Sequence, residues 1–192
     1  QVSAIAGNAQ IRNLTAQSAT LFASNNLVVQ ESRLQTAGDL TLRAQNTVWM
    51  RDSLETPLTV RAGGNLYIQG DQMIDILALN HPDPAFQSGG ALTLVSDGII
   101  SGDAHFTSGG NYSILKLSGA PGRFVSLYDP IIRAIGNVVF GDYTGVALKV
   151  EATGGITGGD IRITAPECAA GSPGCAAGIP TTDPDFATLT GS

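Results

Sequence analysis

Apolar residues in this chain recur in short alternating runs, each opened by a glycine and a small polar residue. GDLTL begins at Gly38, GNLYI at Gly64 and GALTL at Gly90. GNYSI begins at Gly110, GNVVF at Gly136 and GDIRI at Gly159. Successive starts lie 26, 26, 20, 26 and 23 residues apart. The second residue after each glycine is Leu40, Leu66, Leu92, Tyr112, Val138 or Ile161, and the fourth is Leu42, Ile68, Leu94, Ile114, Phe140 or Ile163. Between them stand Thr41, Tyr67, Thr93, Ser113, Val139 and Arg162. Period-two alternation predicts strands with one face buried. The residue after each glycine is Asp39, Asn65, Ala91, Asn111, Asn137 or Asp160. These read as turn formers that bond locally and tolerate left-handed backbone, with glycine supplying the tight corner. In a stack, Asn65, Asn111 and Asn137 would recur at equivalent corners and hydrogen-bond along it.

Further strands are expected at Leu58 to Val60, Met73 to Leu79, Gly98 to Phe106, Phe124 to Tyr128 and Val146 to Val150. In the last, Val146, Leu148 and Val150 are expected to face inward, and Ala147 and Lys149 outward. Breakers separate them at His81-Pro82-Asp83-Pro84, Gly119 to Gly122 and Asp129-Pro130. Asn25-Asn26-Leu27-Val28-Val29 resembles the motif but lies half a coil before Gly38, which places it on a different face of an earlier coil. Helical periodicity with caps is missing, and a propeller blade needs about 40–45 residues. The reading is an all-β parallel β-solenoid (a right-handed parallel β-helix by the crossover rule), with roughly seven coils of 20–26 residues. Stacked at about 4.8 Å, they make a rod about 35 Å long. Residues 1–166 are assigned to the β-helix, and 167–192 to a Gly/Pro-rich loop leading toward a further coil or the C-terminus.

Two segments resemble the repeat region of cyanobacterial filamentous-haemagglutinin-like exoproteins. One runs from Asp75 to Gly110 (DILALNHPDPAFQSGGALTLVSDGIISGDAHFTSGG), the other from Ser108 to Pro166 and includes SLYDP and GDYTGVALKVEA. The resemblance covers roughly residues 60–190. It implies a large right-handed β-helix exported by two-partner secretion through an outer-membrane transporter, acting at the cell surface or outside the cell as an adhesin-like protein. The Asn-Pro-Asn-type motifs of that family's secretion domain do not occur here, which fits an internal fragment. The chain opens on QVSAIAGNAQ and closes on DPDFATLTGS, so both ends are read as cut from something longer or trimmed by processing.

Composition narrows the functions. The formal net charge is -6, with 10 Lys+Arg against 16 Asp+Glu, which argues against a nucleic-acid surface. No stretch approaches the roughly 18 apolar residues of a membrane span. Cys168 and Cys175, the two cysteines, are candidates for a disulfide in an exported protein, with two free thiols as the alternative. No metal or other cofactor is expected, and the chain is read as non-enzymatic. Asp103 and His105 would share a strand face and could pair a base with its orienter, but the plainer reading is solvated residues on an outer face. His81 reads as part of a turn. Asp71, Asp75, Asp83, Asp97, Asp103, Asp129 and Asp142 are spread one per loop, without a calcium-loop run. Asn13-Leu14-Thr15 and Asn111-Tyr112-Ser113 match the glycosylation sequon by chance, since Tyr112 falls in the core column. The expected function is a structural or adhesive exported rod that can stack head-to-tail on identical chains or serve as a shaft, with a surface glycan or other cell-surface ligand as partner. The alternative is a carbohydrate-binding or carbohydrate-active module, whose aromatic platform would draw on Trp49, Tyr67, Tyr112, Tyr128 and Tyr143.

Overall fold

The computed structural model describes residues 2–4 and 7–164. Cys168, Cys175 and the 167–192 segment lie outside the described residues. The chain winds through three strands per coil. It passes through β1 (Val2–Ala4), β2 (Ala9–Ile11) and β3 (Leu14–Ala16), then β4 (Ala19–Ala23), β5 (Leu27–Gln30) and β6 (Arg33–Thr36). Next come β7 (Leu40–Ala44), β8 (Thr47–Arg51) and β9 (Thr59–Ala62), then β10 (Leu66–Gly70), β11 (Met73–Ala78) and β12 (Phe86–Ser88). After β13 (Leu92–Val95), the long β14 (Ile99–Ser108) supplies two faces at once. The chain continues through β15 (Tyr112–Leu115), β16 (Phe124–Val125) and β17 (Ile131–Ala134), then β18 (Val138–Val139), β19 (Tyr143–Gly145) and β20 (Lys149–Ala152). β21 (Ile156–Thr157) and β22 (Ile161–Ile163) follow.

Strands of successive coils pair in parallel, which makes the fold a β-solenoid. The first sheet has the order β1-β4-β7-β10-β13-β15-β18-β21. A second runs β2-β5-β8-β11-β14-β16-β19-β22, and a third β3-β6-β9-β12-β14-β17-β20. The predicted columns sit in register: Leu40 pairs Leu66, Leu66 pairs Leu92, Leu92 pairs Tyr112 and Tyr112 pairs Val138. Their side chains are fully buried, because alternate residues of each strand point into one shared interior. Aromatic rings stack there: Phe86 lies 5.1 Å from Phe106, and Phe106 5.5 Å from Tyr112, edge to face. β5 sits in the second sheet, in keeping with its half-coil offset.

Two placements differ from the sequence reading. The partner of Val138 in the first sheet is Ile156, not Ile161. Ile161 and Ile163 belong to the second sheet, paired with Tyr143 and Gly145, and are more than half exposed. A Gly-Asp pair opens a strand at two different corners, so the local motif cannot say which. In the 146–150 segment Ala147 is buried and pairing begins only at Lys149, whereas Leu148 and Val150 do pack on the core. There the Tyr143 hydroxyl donates to the Ala147 carbonyl and draws that segment inward.

The corners work by stacking, not by left-handed backbone. Among the described residues, non-glycine positive φ occurs only at Asn13 and Glu31. Corner side chains reach to the next coil: the Asn65 N–H donates to Asp39 Oδ1 (2.7 Å), and the Ala91 N–H to Asn65 Oδ1 (2.9 Å). The Asn137 N–H donates to Asn111 Oδ1, and the Gly155 N–H to Asn137 Oδ1, each at 2.8 Å. The expected ladder therefore exists, but it runs from side-chain oxygen to backbone. It also explains the glycines. A Cβ at Gly64, Gly136 or Gly154 would collide with the Asp or Asn oxygen of the preceding coil, and one at Gly90 would sit 2.5 Å from Asn65 Oδ1. A second ladder that the Gly motif did not reveal joins Asn8, Asn25 and Asn46 through their amides at 3.0 and 3.2 Å.

Coil length varies because loops enter at particular corners. β5 and β6 are joined by residues 31–32, and β14 runs straight through the same corner. Residues 52–58 and 79–85 instead form inserted loops there, in adjacent coils.

Candidate functional site

Asp103 and His105 lie on β14, where it bends from the second sheet to the third. Both are buried, at 2% and 9% exposure, which overturns the expectation of a solvated pair. The covering segment is Ser126 to Asp129. Ser126 Oγ donates to Asp103 Oδ1 (2.5 Å), as does the Tyr128 N–H (2.9 Å), while the Leu127 N–H donates to Oδ2 (3.1 Å). One carboxylate thus pins a whole corner of the next coil, and the strand expected over 124–128 is shortened to Phe124–Val125. Burial raises the Asp103 carboxyl above its usual value, opposed by these three bonds. The Tyr143 phenol is also pushed up by burial. Ser126 and Asp129 are as buried as Asp103, so the cluster gives a substrate no approach.

The other carboxylates are mostly engaged in stacking. Asp75 is paired with Arg51 at 2.6 Å, and that guanidinium lies 4.7 Å from the centre of the Trp49 ring. Asp97 accepts from the Leu117 N–H, Asp142 from the Asp160 N–H, and Asp71 from Gln69 Nε2. Glu151 is held below its usual value chiefly by its bond from Arg133. Among the described residues, no group of three or more His, Cys, Asp or Glu is placed to hold a metal ion. The five residues expected to supply an aromatic platform do not share a face: Tyr112 and Tyr143 are fully buried, Trp49 is on the second sheet, Tyr67 on the first, and Tyr128 in the segment that covers Asp103. Asn13 accepts from the Arg33 N–H and Asn111 from the Asn137 N–H, so both sequon asparagines serve corners.

His81 stands in a bend at residues 80–83, in keeping with the turn expected of it, where the two inserted loops meet. They are tied together: Asn80 donates through its N–H to Asp52 Oδ2 (2.9 Å) and through Nδ2 to Oδ1 (2.8 Å). His81 Nε2 lies 2.9 Å from the Ser53 carbonyl oxygen. Between the loops and the solenoid edge is a cleft of about 150 Å³, lined by Pro57, Leu58, Thr59, His81, Pro82 and Asp83 among others. A shallower depression of about 260 Å³ lies on the third sheet beside Thr107, Arg133 and Glu151. Sequence reasoning found His81 and Asp83 but not their cleft. The coils from Gly38 and Gly64 are 26 residues long against 20 for the coil from Gly90, but the coil from Gly110 is 26 too, with its extra residues at 116–123, so length marks an insertion without placing its corner.

No family model matches the chain, and neither the curated proteins nor the solved structures contain a significant match to it.

Proposed function

We propose that this chain is a segment of an exported, filamentous-haemagglutinin-like rod that acts structurally and adhesively at the cell surface or outside the cell. The observation that supports it most is the unbroken parallel stack. From β4 to β19 each strand pairs with the coil before and the coil after, and corner Asn and Asp side chains bond from coil to coil in the same way. Such a scaffold grows along one axis, because every added coil finds a template of the same pitch. In this reading the coils are right-handed, as crossovers between parallel strands are, and number roughly seven. Export by an outer-membrane transporter, and a cell-surface ligand, follow from the family resemblance of residues 60–190. The chain works without cofactor or catalysis, and stacking on neighbouring coils, of its own or of identical chains, builds the filament.

Electron microscopy of material isolated from its native source tests this reading. Thin continuous fibres with a layer spacing near 4.8 Å are the expected result. Isolated globules that never elongate would remove the filament from the proposal.

A further inference from the structure

We propose that the cleft between loops 52–58 and 79–85 binds a small, neutral, polyhydroxylated ligand the size of one sugar ring. The proposal deepens the adhesive side of the reading above and does not depend on its assembly side.

The loops are additions to the scaffold. Neighbouring coils close the same corner with residues 31–32 or with the continuous β14, so residues 53–57 and 79–84 are additions to the corner, while Leu58 and Ala85 at the loop ends belong to the core. Inserted loops held rigidly on a regular scaffold are where binding residues concentrate. These two are tied to each other: both Asp52 oxygens accept from Asn80, and His81 is anchored on Ser53.

That anchor decides what the cleft offers. A carbonyl oxygen can only accept, so the proton of the neutral His81 ring sits on Nε2, and Nδ1 becomes an acceptor. Asp83, two residues on, adds a carboxylate, and Thr59 a hydroxyl that can donate or accept. Pro57, Pro82 and Leu58 supply an apolar wall. Acceptors beside an apolar wall suit a ligand with several O–H donors and a C–H face. Among the described residues no Lys or Arg lines the cleft, which disfavours an anion. A cation would find too few ligands, since Asp52 is already engaged and no cluster of three ligating side chains exists among the described residues. The volume of about 150 Å³ is below the roughly 300–1,000 Å³ of drug-sized sites, so one ring fits and a chain of rings does not.

The test is saturation-transfer NMR followed by calorimetry on the full chain. The probes are methyl glycosides of glucose, galactose, mannose, fucose and N-acetylglucosamine, with myo-inositol as a non-sugar polyol. At least one probe is expected to bind saturably. Asp83→Ala and His81→Ala should each weaken it about tenfold, the loss of one or two hydrogen bonds, while Thr107→Ala on the third sheet leaves it unchanged. No saturable binding by any probe would overturn the proposal, as would binding that both cleft variants leave intact. Should the variants fail to fold, amide shifts in the wild-type chain decide: changes confined to loops 52–58 and 79–85 support the site, and changes elsewhere overturn it. Fibre formation is read separately by microscopy, so either result can fail alone.

Discussion

Asp103 occupies a position that alternation along its strand cannot classify. Its neighbours Gly102 and Ala104 are buried, and so is Asp103, because residues 126–129 of the next coil fold over it. A sequence reading sees a polar residue two places from a histidine and assigns both to solvent. The cover lies 23 residues away and has no local signature. Burial has a consequence for pH. Because its carboxyl is raised in the folded chain, Asp103 holds its proton more tightly there than when unfolded. Its contribution to stability is complete below the unfolded value of about 3.9 and is lost as pH rises through the folded value. Asp103→Asn removes that titration while keeping the Ser126 and Tyr128 bonds on its remaining oxygen. Its amide then faces the Leu127 N–H, an unpaired contact worth about 1–3 kcal/mol at low pH. In urea unfolding between pH 4 and 7, the gap between wild type and variant should narrow as pH rises. A gap that stays constant would show that the Asp103 proton is not linked to folding.

At the scale of strands and loops, most of the solenoid was legible. The columns through Leu40, Leu66, Leu92, Tyr112 and Val138 follow from alternation plus a glycine-led corner, since one shared interior selects every second residue. The register failed at Gly159, because Gly136-Asn137 and Gly159-Asp160 look alike yet open strands in different sheets. Only pairing tells them apart. The same corners changed the account of glycine: the collision of an added Cβ with the preceding coil's Asn or Asp decides the residue, and backbone freedom does not. Loops 52–58 and 79–85 are separable from this architecture. Deleting residues 53–57 leaves Asp52 joined to the buried Leu58, a two-residue corner like residues 31–32. The shortened chain should keep its β circular dichroism and melt cooperatively, within about 5 °C of the parent, since shortening a surface loop changes closure entropy only slightly. Loss of the cooperative melt would show that the loop is part of the folding unit.

Across the whole molecule, stability is distributed as in a repeat array. Each coil contacts its neighbours in the stack, so opening should begin where a neighbour's cover is thinnest. β8, β11 and β14 are covered on both sides and carry fully buried Val48, Met50, Ile74, Ile76 and Ile100. Ile156 in β21 and Ile161 and Ile163 in β22 are about half exposed. Hydrogen exchange followed by mass spectrometry should therefore show the slowest amides in β8, β11 and β14 and the fastest in β21 and β22. Uniform protection along the chain would mean that the solenoid opens as a single unit. By itself the sequence determined the all-β class, the repeating coil and the identity of most core positions, because alternation and coil spacing are local properties that a common interior imposes on every turn. The tertiary structure alone decided which corner each glycine occupies, that Asp103 and His105 are covered, and that the loops carrying Asp52 and His81 meet. Each of these depends on contacts between residues a full coil apart, and such contacts exist only once one coil has settled on another.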